Sequence, residues 1–221
     1  MENTKDPVNQ HLVCDELVFG TEQLGLMSGA VWRDDPKRLI FTLSRYKFVA
    51  KMLAGKNKVV EIGCGDGFCS RVVAQSVVDL TITDYDPLFI EKFNNNLSKK
   101  WKTKAITHDI LKSPLLEKFE ALYSLDVLEH IPQKQEDIFL GNCKESLKEN
   151  GVAIIGMPSL ESQCFASPAS KAGHVNCKTG QDFKITLERH FANVFLFSMN
   201  DEVVHTGFEK MAHYLICLCV V

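Results

Sequence analysis

Residues 59–70 read VVEIGCGDGFCS, an apolar run through Ile62 followed by glycines at every second position, Gly63, Gly65 and Gly67. A glycine turn between a strand and a helix lets backbone approach a ligand closely and aims the first helical N–H groups at it. Spacing selects the ligand. A dinucleotide turn is GxGxxG, and its third glycine would fall where this chain has Phe68. The charges of Glu61 and Asp66 would also repel a pyrophosphate, whereas a cationic ligand tolerates them. A glycine triplet alone is equally what a tight strand-to-helix turn uses, so the neighbouring strand ends carry the decision.

Working outward, strand-like runs at 58–62, 77–83, 105–107, 121–125, 152–157, 194–198 and 213–221 alternate with helix-like segments at 68–75, 88–100, 134–149 and 181–190. Continuous apolar strands separated by helices imply a mostly parallel sheet covered on both faces, an α/β, doubly wound architecture. Asp86-Pro87 reads as an N-cap followed by Pro at the first helical position, and Asn150-Gly151 as the stop of a helix ending at Glu149. The last two runs read as an antiparallel hairpin added to the sheet. Upstream, Asp35-Pro36 opens a helix through Ala54. Residues 1–35, with Gly20, Gly25 and Gly29 and little periodicity, read as a lid or a docked N-terminal arm; residues 36–221 read as one domain.

The composition narrows the function classes. The 221 residues carry 45% hydrophobic and 24% charged side chains with a net charge of −3, which is ordinary globular composition. The missing basic stripe argues against nucleic acid as partner. No pair of the eight cysteines has CxxC spacing, so zinc knuckles and dithiol redox motifs are not indicated and reduced thiols are expected. The N-terminus lacks the basic and apolar regions of a secretory signal, and no apolar run is long enough to span a bilayer. A cytoplasmic protein without membrane insertion, monomeric or homodimeric, is expected.

The strand ends supply the rest of a pocket. Asp84 ends the second strand, 23 residues after Glu61, where an acid can accept both hydroxyls of a ribose. His108-Asp109-Ile110 ends the third, where a second acid can face an adenine amino group. These positions share the carboxyl edge of a parallel sheet, where such folds bind ligands.

VVEIGCGDG, TITDYDP, HDI, LYSLDVLEHIP and LKENGVAIIGMPS resemble, in order over about residues 45–160, the successive motifs of class I S-adenosylmethionine-dependent methyltransferases, notably those acting on quinone-precursor hydroxyls and sugars. That resemblance implies a Rossmann-like seven-stranded sheet of order 3-2-1-4-5-7-6 with strand seven antiparallel, and an N-terminal helical extension. It implies S-adenosylmethionine as cofactor and S-adenosylhomocysteine as product. By position, Gly63, Cys64 and Gly65 would contact the methionine part above Glu61; Asp84 the ribose, with Tyr85 beside the adenine. Asp109 and Ile110 would frame the adenine, Leu125 and Asp126 would close the site, and Arg45 would pair with the methionine carboxylate or else face solvent.

Methyl transfer to an alcohol needs alignment, exclusion of water and removal of a proton. His130, in DVLEHIP after strand four, is the first candidate base. His174, with Asn176, lies in the turn-rich segment 159–180, and His205 lies between the last two strands; His213 opens an apolar strand and reads as structural. These histidines are far apart in sequence and no metal-ligand spacing joins them, so metal-free chemistry is expected. The reading is methyl transfer to a hydroxyl of a small metabolite (a sugar, nucleotide-linked sugar or phenolic precursor). The alternatives are N-methylation of an amino sugar or other amine, and a non-catalytic cofactor-binding scaffold.

Overall fold

The computed structural model describes residues 2–98, 100–101 and 103–221. Eight strands form one sheet: β1 Lys58–Ile62, β2 Asp79–Asp84, β3 Lys104–Thr107, β4 Phe119–Leu125, β5 Leu147–Pro158, β6 Asn193–Asn200, β7 Val203–His205 and β8 Tyr214–Val220. Their order is β3-β2-β1-β4-β5-β8-β6-β7. Pairings among β1 to β5 are parallel, and β8 inserts antiparallel between β5 and β6. The expected order therefore holds, with β8 as the antiparallel strand. The one addition is β7, three residues that fold back on β6 where the sequence reads as a connection.

The helices are α1 Gln10–Phe19, α2 Leu26–Asp34, α3 Pro36–Met52, α4 Arg71–Ala74, α5 Pro87–Asn95, α6 Glu136–Glu145, α7 Pro168–Gly173 and α8 Gly180–Glu188. Strand side chains alternate between two apolar cores. Val60, Ile62 and Leu122 pack with Phe139, Leu140 and Phe183 of α6 and α8. Val59, Ala121 and Tyr123 pack with Val49, Val73 and Ile90 of α3, α4 and α5 and with Leu53 just after α3. Asp86 caps α5 as expected, accepting the Leu88 N–H at 2.9 Å.

Three boundaries move. The helix expected to reach Glu149 stops at Glu145, because Leu147 pairs with Phe119 of β4 and begins β5. Asn150 does adopt a left-handed φ of 59°, but as a kink within that strand. The helix after the glycine loop shrinks to Arg71–Ala74, since Gly67 at φ 68° keeps the preceding residues in a turn. The helix expected over 88–100 ends at Asn95; its Lys99, like Met1 of the arm, lies outside the described residues.

The arm folds into α1, which buries no residue, and α2, which buries only Ser28. Among the described residues no helix is long and apolar enough to cross a membrane.

Candidate active site

The glycine loop is tied to β2. Gly63 and Cys64 N–H groups both donate to the Thr83 carbonyl, at 2.8 and 2.9 Å. Asp84, nearly buried, accepts the Gly65 N–H on Oδ2 and the Asp86 N–H on Oδ1, each at 2.9 Å. A carboxylate has about four lone-pair sites, so Asp84 keeps acceptor capacity toward the mouth. Gly63 has a left-handed φ of 77°, and a Cβ there would stand 2.3 Å from Val127 Cγ2. Only glycine lets the β1 and β4 loops meet this closely. Buried Cys64 completes the turn, its thiol pushed up by burial.

Below the loop, Glu61 is fully buried and accepts hydroxyls from Tyr46 at 2.7 Å, Tyr123 at 2.8 Å and Ser70. Desolvation nevertheless dominates these donors and lifts its carboxyl to about 7. A folded value above the unfolded one favours the protonated fold. The corresponding stability is fully present below about pH 4.5 and fades as pH rises through 7. Glu61→Gln is expected to flatten the fall in Tm between those pH values, measured by calorimetry across the range; an unaltered slope would place the titration elsewhere.

Asp84, Tyr85, Asp109 and Ile110 come together where β2 and β3 end, the His108 N–H donating to the Asp84 carbonyl at 2.8 Å. Tyr85 is exposed and Ile110 buried. Asp109 accepts the Leu111 N–H at 3.1 Å and pairs with Lys112 at 3.3 Å. Leu125 is buried at the end of β4.

Asp126 follows with φ 58°, its N–H shared between the Gly156 carbonyl and the Tyr214 hydroxyl. The solvent-facing alternative for Arg45 is corrected here. Arg45 is mostly buried and directed at protein: Nη1 donates to both oxygens of Asp126 at 2.7 and 2.8 Å, and the guanidinium lies 3.7 Å from the centre of the Tyr214 ring. Its Nε is buried without a partner among the described residues.

Glu129 is the residue that sequence reasoning missed. It is fully buried, and among the described residues neither carboxyl oxygen has a hydrogen-bond partner. Burial first, then neighbouring Asp126, pushes its carboxyl well above the usual range. Beside it, His130 Nδ1 lies 2.9 Å from the Gly173 carbonyl, and His174 Nδ1 lies 2.9 Å from Gln163 Oε1. Each acceptor requires an N–H, so both neutral rings present Nε2 as a lone pair. The rings meet edge to face at 5.1 Å. Burial and then His130 lower the basicity of His174. Glu129, His130 and His174 each offer a ligand atom, all within 4.8 Å of one another. His130 and His174, far apart in sequence, are thus brought together: the 159–180 segment folds back, and Val175 and Asn176 N–H groups both donate to the Glu129 carbonyl.

The other candidates serve the frame. Asn176 donates to buried Glu136, which also binds Lys178 and Arg189 and so anchors the segment to α6. His205 is hydrogen-bonded within its own hairpin, to Asn200 Oδ1 and to the Gly207 N–H, and does not join the cluster. His213 has its ring 6.1 Å from that of Phe41.

The strand order, the glycine loop and the acids ending β2 and β3 define the fold of class I S-adenosylmethionine-dependent methyltransferases. A family model described as a methyltransferase domain matches residues 59–151, in keeping with that fold. It is 26% identical over 133 residues to a mitochondrial ubiquinone biosynthesis O-methyltransferase of Schizosaccharomyces pombe, covering 55% of this chain and 48% of the relative. It is 32% identical over 111 residues to a ubiquinone biosynthesis O-methyltransferase of Glaesserella parasuis, covering 47% and 45%. The matched region thus spans about half the length of these curated relatives. Among solved structures, the N-methyltransferase NodS from Bradyrhizobium japonicum in complex with S-adenosyl-l-homocysteine is similar, with a TM-score of 0.63 at 17% identity over 86% of this chain and 89% of that one.

Proposed function

We propose that the chain transfers a methyl group from S-adenosylmethionine to a hydroxyl oxygen of a small molecule, with the acceptor met by Glu129, His130 and His174. The carrying observation is the cluster after β4: a buried carboxyl without partners among the described residues, beside two imidazoles that use Nδ1 for their hydrogen bonds and leave Nε2 for an acceptor. The cofactor supplies a methyl group on a sulfonium, an electrophile that needs no further activation. Asp84 and Asp109 hold its nucleoside and the loop at Gly63–Gly65 its amino-acid part; the retained acceptor capacity of Asp84 and the close approach at Gly63 fit such a ligand. His130 Nε2 would take the acceptor's hydroxyl proton as the C–O bond forms and the methyl carbon–sulfur bond breaks, S-adenosylhomocysteine being the leaving group, and His174 steadies the His130 ring. The O-methyltransferase names of the curated relatives point the same way.

The chain is to be incubated with methyl-labelled S-adenosylmethionine and a small-molecule extract, and products analysed by mass spectrometry. Labelled methyl ethers gaining one methylene are expected; label found only on nitrogen would overturn the hydroxyl reading.

A second reading rests on the unpartnered Glu129 oxygens. One carboxylate and two imidazoles within 4.8 Å form a ligand set for a divalent cation. A cation held by Glu129, His130 and His174 would acidify an acceptor hydroxyl directly. Calorimetric titration with Mn2+, Zn2+ and Mg2+ is expected to give one site that His174→Ala abolishes; heats equal to buffer would leave the metal-free base.

A further inference from the structure

The arm reaches the cofactor loop through one carboxylate. α2 starts after Gly25, which has no side chain with which to cap the helix. Asp66 of the glycine loop supplies the cap from outside. Its Oδ2 accepts the Ser28 N–H at 2.7 Å and its Oδ1 accepts the Ser28 hydroxyl at 3.1 Å. A negative group at a helix N-terminus satisfies an orphan N–H and complements the helix dipole. Oδ1 also accepts the Phe68 N–H at 3.1 Å, so the same side chain shapes the loop and holds the arm. Gly25 is needed for this fit, because a Cβ there would stand 2.3 Å from Asp66 Cβ.

Beyond this cap, the apolar anchorage of this end of the arm is limited to the partly buried Leu24 and Val31. α1 buries nothing, and Ser28 is the only buried residue of α2. Glu22 adds bonds to Arg71 at 2.5 Å and to the Ser98 hydroxyl at 2.9 Å, both partly exposed. Between the arm and α5 lies a cavity of about 230 Å³, lined among others by Leu24, Phe68, Lys92 and Phe93 where apolar packing would otherwise be. Yet the arm covers the loop: Met27 Sδ lies 2.8 Å from where a Gly65 Cβ would be.

We infer that Asp66 is a positioning residue, a latch that caps α2 and so holds the arm closed over the cofactor loop. This rests on the assignment of that loop to S-adenosylmethionine. Releasing the latch exposes the loop for cofactor entry and product exit; engaging it covers the bound molecule.

Two variants separate the latch from general stability. Asp66→Asn keeps one acceptor oxygen for the loop but turns an amide NH2 toward the Ser28 N–H. Gly25→Ala leaves Asp66 intact and displaces the arm sterically. Hydrogen exchange by mass spectrometry, with and without S-adenosylhomocysteine, is expected to show faster exchange over 26–34 in both variants and unchanged exchange in β1, β4 and β5. Dissociation of S-adenosylhomocysteine in stopped flow is expected to accelerate about tenfold, equivalent to about 1.4 kcal/mol. Wild-type exchange over 26–34 in both variants overturns the latch, as does wild-type dissociation from a variant whose arm is open. A wild-type chain that binds no S-adenosylhomocysteine overturns the cofactor assignment instead, while exchange without ligand still decides whether Asp66 holds the arm.

Discussion

Asp84→Ala is expected to weaken S-adenosylhomocysteine binding by about 2–3 kcal/mol, roughly 30- to 150-fold, the scale of losing hydrogen bonds to a buried charge. The effect has two sources. The variant removes the acceptor proposed for the ribose hydroxyls, and it leaves the Gly65 and Asp86 N–H groups without the carboxylate that now orders them. Asp84→Asn retains one acceptor oxygen and should fall between variant and wild type. Isothermal titration calorimetry measures both. Wild-type affinity in Asp84→Ala would mean that the nucleoside is not held at the end of β2.

His130→Ala is expected to lower methyl transfer by roughly 100- to 10,000-fold, the usual contribution of a positioned general base, while S-adenosylhomocysteine affinity stays at the wild-type level. His130 lies on the β4 side of the site, apart from the Asp84 and Asp109 end assigned to the nucleoside, so the two measurements should separate. Glu129→Gln keeps the volume but removes the titratable carboxyl, and a loss of turnover without loss of folding is expected there too. Undiminished turnover in both variants, measured with the acceptor recovered from the extract, would remove the cluster from the chemistry.

Much of the frame was legible because it rests on local rules. The Asp86-Pro87 cap, the glycine spacing after β1 and the apolar runs of β1, β4 and β8 depend on neighbours within a few residues, and the structure realises them. The helix end at Glu145 was not legible. Asn150-Gly151 is a sound stop signal, but pairing of Leu147 with Phe119 is a tertiary event that claims those residues for the sheet first. The acceptor side of the site depended still more on contacts between distant residues. Arg45 finds Asp126 across 81 positions. His174 meets His130 only because 159–180 folds back onto the Glu129 carbonyl. Glu129 itself stood in view beside His130. Its signal was an acid embedded in DVLEHIP, yet nothing local in that string says that its carboxyl is fully buried and unpartnered.

The strand that sequence reasoning did not anticipate bears on how copies of the chain can associate. β7 has three residues and closes one edge of the sheet; β3, with four, closes the other. An incoming strand finds few free N–H and C=O groups at the short β3, and very short edge strands are a common protection against edge-to-edge aggregation, whereas β7 pairs only with Ser198–Asn200 and, among the described residues, leaves Asn193–Phe197 of β6 without a strand on that side. Growth of the sheet from one molecule into the next is therefore disfavoured at the β3 border, and a homodimer of this chain that paired strand to strand is expected to use the uncovered stretch of β6.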